Sequence, residues 1–346
     1  MKNYFLPIFF LLTASSTQVY SWGGRGHHTI CDAAVYLVKN PELKSFLQNR
    51  PHTMGHLCNV PDIYWKSLGS DVNKIGSPTH YIDVEILGIP IKDVPTDFKK
   101  LKADFTGKKK ANKEGTINSV ALELGTNWWR ADQFYRRAIA LKQGLSATPP
   151  TGKEEQNENN EYNKAVYELI LNFGLMGHFV GDNSQPYHTT DDYDGYEKGH
   201  GGIHSYYEDK AVVSSNYDLQ AKVVAAGLKL RKDDKKNSFL SGTDVVEKMK
   251  QLAIISFSEV DKVLKADLLI KPSEKGSSKK PAERVPLEKT LPKFEPLIIQ
   301  QMARSAALLA NIWDQAYQEL GQPNLKSYKS FKYPFTPDFV APDYDN

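Results

Sequence analysis

Cysteine is scarce in this chain, long apolar runs are scarcer, and neither sign of charge prevails. Its two cysteines, Cys31 and Cys58, exclude a disulfide-stapled scaffold. An oxidising compartment would allow one bridge between them, and the sequence leaves both states open. Past the first dozen residues no segment is apolar over the roughly 20 residues that a membrane helix needs. The formal charge of +3 is too small to imply a nucleic-acid partner by itself. Strand-like alternation is confined to short stretches such as His80-Tyr81-Ile82-Asp83-Val84, so no extensive sheet is expected.

The amino terminus reads as a leader. Lys2 precedes the apolar run from Phe5 to Leu12, and small and polar residues follow up to Ser21. A basic start, a short apolar core and a small-residue end make a secretory signal peptide over residues 1–21. Cleavage after Ser21 would make Trp22 the first residue of a secreted or periplasmic chain.

Apolar residues at three- and four-residue steps predict helices over His27 to Val38, Trp128 to Leu141, Glu161 to Val180, Val245 to Leu264 and Phe294 to Leu320. Pro41-Glu42-Leu43 has the form of a first helical turn. The expected fold class is all-α. Residues 98–114, centred on Lys108-Lys109-Lys110, read as a solvated polar loop, as do 146–160 and 271–286. None of the three divides separate sets of motifs, so one catalytic domain over 22–346 is expected.

Five of the nine histidines lie in settings that suit a metal. In His178-Phe-Val-Gly-Asp182-Asn-Ser-Gln-Pro-Tyr-His188, His178 and Asp182 are four apart and share one helix face. Gly181 and Pro186 then break the pattern and let His188 return toward the same point. His204-Ser-Tyr-Tyr-Glu208 repeats the four-residue spacing after a glycine-rich turn. Asp62 with His80-Tyr-Ile-Asp83 is a third setting, and Trp22-Gly-Gly-Arg-Gly-His27 a fourth. Imidazole plus carboxylate is a ligand set that suits zinc. Each setting alone has a plainer explanation, as a surface pair, a cap or a hydrogen-bonded core histidine. Their coincidence points to a metal centre.

With these motifs the chain resembles the superfamily of zinc-dependent phospholipases C and secreted single-strand-specific nucleases. The matching elements run from Trp22 to Glu208, and the Gly-Asp-x-x-Gln-Pro-x-His core is the most specific. The resemblance implies a multi-helix fold around three zinc ions. Trp22, through its free amino group and carbonyl, and His27 would hold one ion. Asp62, His80 and His178 would hold a second, with Asp182 bridging these two. His188, His204 and Glu208 would hold the third. The implied activity is hydrolysis of phosphate esters, with Asp62 acting on the attacking water. Asp83 is either a partner of His80 or a cap or turn residue, and Tyr81 and Asp83 are candidates for substrate contact.

Two branches of the superfamily divide the remaining motifs. Glutamate at the end of His204-x-x-x-Glu208, and the short stretch from His188 to His204, resemble the phospholipases. The spacing from Trp22 to His27 resembles the nucleases. Arg25 and Ile63 stand where choline-gripping phospholipases carry glutamate and tyrosine. Nucleases tend to place a basic residue three after the aspartate, where this chain has Trp65; Lys66, next along, is expected to point elsewhere. The balance favours a phospholipase C-like phosphodiesterase over a nuclease, and both over a zinc-binding protein without catalysis. The expected partner is a phosphate-ester substrate, phospholipid or single-stranded nucleic acid, with transient contact at a membrane surface and no obligate protein partner.

Overall fold

Three glycines on one helix decide how the centre of this protein packs. In a computed structural model, which describes residues 22–275, 279–330, 332 and 336–345, the helix α6 spans Glu161–Asp182. It starts where Asn160 accepts hydrogen bonds from the backbone nitrogens of Tyr162 and Asn163. A side chain at Gly174 would run into Leu57, one at Gly177 into Cys31 and Leu309, and one at Gly181 into the ring of His27. Their absence lets α6 lie close against α1 (Gly23–Leu37) and α3 (Pro51–Ile63). Pro41–Gln48 forms α2, capped by Asn40, between those two.

The remaining elements close around this core. A short helix α4 (Phe98–Phe105) precedes α5 (Asn127–Ile139), which packs on α6 from the side away from α1. The helices α7 (Leu219–Leu230), α8 (Val245–Ala266) and α9 (Leu287–Glu319) complete the bundle. Trp128, Phe134, Phe173, Phe179 and Trp313 are all buried in the shared core. Arg130, also buried, stacks over Phe134 and Phe179 and donates to the carbonyl of Val340, tying the carboxyl-terminal segment to α5.

The fold is mostly helical, as the periodicity predicts, and the predicted helix ends fall within a few residues, α9 apart, which begins earlier, at Leu287. The alternating stretch at His80 is not a strand: a 3-10 turn ends at His80 and another begins at Val84. Two loop expectations also need correction. Residues 98–105 form α4, because Phe98 and Leu101 are buried under it and Asp97 caps it. The segment 271–286 contributes to a small antiparallel pair, β1 (Leu269–Lys271) with β2 (Glu283–Arg284). Cys31 and Cys58 form a disulfide between α1 and α3. Closing 27 residues of chain in this way contributes about 3.5 kcal/mol in the chain-entropy account. The leader predicted over 1–21 lies outside the described residues, and among those described no helix is long and apolar enough to cross a membrane.

Candidate metal centre

Six elements of the chain meet where α1, α3 and the end of α6 converge. His27 comes from α1, Asp62 from the last turn of α3, and His178 and Asp182 from α6. His80 ends a 3-10 turn, and His188 another that follows Gln185-Pro186. His204 and Glu208 sit on a helical stretch that widens to a π-helix over Tyr206–Ala211, a distortion common at functional sites. All eight side chains are buried.

They form three sets: His27, His178 and Asp182; Asp62, His80 and His178; and His188, His204 and Glu208. In each set the nearest ring nitrogens and carboxylate oxygens lie within 4.8 Å of one another. Asp182 faces two sets at once. Its Oδ1 is 3.2 Å from His27 Nε2, while its Oδ2 is 3.0 Å from His80 Nδ1 and 3.3 Å from His178 Nε2. His178 Nε2 and His80 Nδ1 lie 3.7 and 3.6 Å from Asp62 Oδ1. In the third set, Glu208 Oε2 is 2.9 Å from His204 Nε2 and 3.7 Å from His188 Nε2. Tetrahedral zinc with bonds of about 2.0–2.1 Å would hold its ligand atoms about 3.3 Å apart. The observed spacings bracket that value.

The tautomers give a second test of fit. A carbonyl oxygen can only accept, so a ring nitrogen facing one carries the proton. His178 Nδ1 donates to Cys58 O at 2.7 Å, His188 Nδ1 to His80 O at 2.8 Å, and His204 Nδ1 to Tyr193 O at 2.8 Å. In its neutral form each ring turns the lone pair of Nε2 into the centre. The buried Oε1 of Glu208 has no hydrogen-bond partner, and Nε2 of His204 and of His188 face its Oε2. Outer hydrogen bonds of this kind are how proteins orient metal-binding imidazoles. The residues fit a cluster of divalent ions.

Electrostatics agree. Burial first, then Lys66, holds His80 well below the ordinary imidazole range, and burial with His27 does the same to His178. Both rings are neutral, as ligands must be. Burial lifts the Asp182 carboxyl well above the usual range, and neighbouring Asp62 adds to that. Burial alone would raise Glu208 too, but His204 and His188 outweigh it and bring it to about 2. Carboxylates crowded in a dry site need cations to offset them.

Trp22 is buried beside the third set. Its main-chain nitrogen is 3.3 Å from Glu208 Oε2, and its indole donates to Gly181 O at 2.8 Å. Gln185, inside the motif, donates to the same oxygen of Glu208 at 2.6 Å. Above the centre lies a cleft of about 430 Å³ lined by Lys66, Tyr81, Asp83, Lys113, Tyr193 and His204, among others.

Three placements differ from expectation. Lys66 points into the site: its Nζ is 2.5 Å from Asp62 Oδ1, because side chains four apart meet on a helical turn. Trp65 turns inward instead and is buried, its indole on Pro337 O. Asp83 is not the partner of His80, whose Nδ1 faces Asp182; Asp83 lines the cleft near Lys113 and Asp191. The segment 98–114, read as solvated, brings Lys113 to the cleft rim at 3.3 Å from Asp191. Tyr81 lines the cleft and donates to Leu122 O. Arg25 serves the backbone, donating to the carbonyls of Val212, Val213, Ser215 and Asn216. The spacing of Asp62 and Lys66 was the available signal for the missed lysine. Nothing local marked Lys113.

No protein-family model matches the chain, and no curated protein matches it in sequence. Among solved structures it is similar to the alpha-toxin from an avian strain of Clostridium perfringens, at 12% identity and a TM-score of 0.42; the match covers 87% of this chain and 65% of the toxin chain.

Proposed function

We propose that this protein is an exported zinc-dependent phosphoric ester hydrolase that cleaves phosphodiesters, with phospholipid head groups as the favoured substrate. One observation carries the reading: Asp182 turns its two oxygens to two histidine sets, beside a third set, beneath a cleft holding two lysines. A bridging carboxylate among three adjacent imidazole–carboxylate sets is an arrangement suited to several ions acting together.

His27, His178, Asp182, Asp62, His80, His188, His204 and Glu208 would hold three zinc ions, with the amino group of Trp22 joining them once the leader is removed. Zinc there would supply Lewis-acid stabilisation of the phosphoryl oxygens and hydroxide near neutral pH. Asp62 would orient the attacking water and take its proton. Lys66 stays charged: burial opposes it, but Asp62, and more weakly Asp182 and Glu208, outweigh burial and hold its pKa above the ordinary value. It thereby fixes the Asp62 carboxylate and places a cation where the phosphoryl group would enter. Tyr81 and Tyr193 wall the entrance, and burial of the histidines keeps bulk water from their lone pairs.

Glu208 at the end of its pair supports the phospholipase reading by resemblance. A nuclease reading is supported by the Trp22-to-His27 spacing and by Tyr193, which is 51% exposed at the rim, where a base could stack. Turnover of phosphatidylcholine, phosphatidylglycerol, single-stranded DNA, RNA and 3′-mononucleotides, with and without chelator, tests both. Hydrolysis of a phospholipid that chelation abolishes is expected. Activity on single strands alone would reverse the substrate assignment, and chelator-resistant or absent turnover would defeat the metal reading.

A further inference from the structure

We propose a separate binding site for one divalent transition-metal ion, zinc or its chemical neighbours, formed by His28, Asp32 and His52 on the outer side of the α1–α3 pair. It shares no ligand with the candidate centre described above. Along α1 the two adjacent histidines diverge: His27 is buried in that centre, whereas the ring of His28 is partly exposed. Asp32 follows His28 by one helical turn and shares its face. His52 enters from the first turn of α3 and is exposed.

The donor set and its spacing suit an ion. Two imidazoles and one carboxylate are the ligand types of zinc sites that keep a position open to water. Their donor atoms lie within 4.8 Å of one another. His28 Nε2 and Asp32 Oδ2 are 3.4 Å apart, matching the edge of about 3.3 Å expected for tetrahedral zinc. His52 is the most exposed of the three, and its ring centre lies 5.8 Å from that of His28.

Two independent features point to a ligand. Asp32 is only 5% exposed, and its Oδ1 has no hydrogen-bond partner. A buried carboxylate oxygen left in that state is costly unless something fills it. Gly55 also makes space for the ring of His28: a Cβ there would stand 2.6 Å from both Nδ1 and Cε1. Any larger residue on α3 would displace the imidazole from Asp32.

An ion bound here would clip α1 to α3 a second time, within one helical turn of Cys31 on α1 and under two turns from Cys58 on α3. Binding the folded chain and not the unfolded one, it would raise thermal stability as free metal rises.

The test uses the full processed chain, first saturated with zinc and washed, then titrated with zinc chloride by calorimetry. His52→Gln and His28→Gln are measured beside the wild type, with Gly55→Ala, which keeps every donor but shifts a ring. The wild type is expected to take up one more equivalent than His52→Gln or His28→Gln. Its melting temperature should rise with added zinc by several degrees more than theirs. Gly55→Ala should bind that equivalent at least tenfold more weakly. The difference between chains decides the matter, whatever number the other centre holds. Equal uptake and equal melting shifts in wild type and His52→Gln would overturn the site.

Discussion

Replacing Asp182 by asparagine keeps the shape of the side chain and removes one negative charge from a fully buried position. Its two oxygens face His27 at 3.2 Å on one side, and His80 and His178 at 3.0 and 3.3 Å on the other. An amide can present only one oxygen, so it can serve at most one of these sets. Without the shared charge, the His27 set loses its only carboxylate and the Asp62–His80–His178 set loses the bridging oxygen beside it, so both would hold an ion poorly in a dry site. The third set, His188, His204 and Glu208, does not include Asp182 and should keep its ion. Zinc content is therefore expected to fall from about three per chain to about one. Phosphodiester turnover should fall at least about 10²–10³-fold, the effect of losing a single preorganised electrostatic group, or about 2.7–4 kcal/mol. Elemental analysis of the washed protein gives the metal count, and initial rates on a chromogenic phosphodiester give the turnover. Circular dichroism confirms that the variant is folded. A folded Asp182→Asn with full zinc and wild-type rate would refute the bridging role and the reasoning behind it.

Other expectations are equally direct. Asp62→Asn should lower kcat far more than it raises KM, the outcome required by its proposed role on the attacking water; an unchanged kcat with a raised KM would contradict that role. Lys66→Met should cost about 10–100-fold in kcat/KM, the worth of one charge-assisted hydrogen bond of about 1.5–3 kcal/mol, with partial recovery in Lys66→Arg. If steady-state kinetics of Lys66→Met match the wild type, the lysine is only a surface partner of Asp62. Glu208→Ala should release one ion and leave the helical spectrum intact; global unfolding would make Glu208 a structural residue. A chain with one extra glycine before Trp22 should lose activity and the ion nearest its nitrogen, because an amide nitrogen is a poor zinc donor. Full zinc and full rate in that chain would remove the terminus from the ligand set.

Much of this protein was legible in one dimension because the relevant physics is local. Apolar residues at three- and four-residue steps specify amphipathic helices, and those over 127–139, 161–182 and 245–266 follow such steps. Side chains four apart on a helix share a face, so the pairs His178 with Asp182 and His204 with Glu208 could be read as adjacent before any fold was known. Whether separate pairs meet is a different question. His27, His80 and His178 are far apart in the chain, and their convergence follows from α6 lying close on α1 and α3 at Gly174, Gly177 and Gly181. The Cys31–Cys58 bridge depends on the same approach. Lys113 reaches the cleft because α4 is anchored by Phe98 and Leu101, burial that a count of lysines cannot reveal. The pairing of Lys66 with Asp62 follows their four-residue spacing, whereas the inward turn of Trp65 rests on Pro337, a contact between residues 272 apart. Residue type and periodicity thus determined the helices and the adjacent histidine–carboxylate pairs. Only the tertiary packing decided which pairs share a centre, since that is set by long-range van der Waals fit between helices rather than by neighbours in the chain.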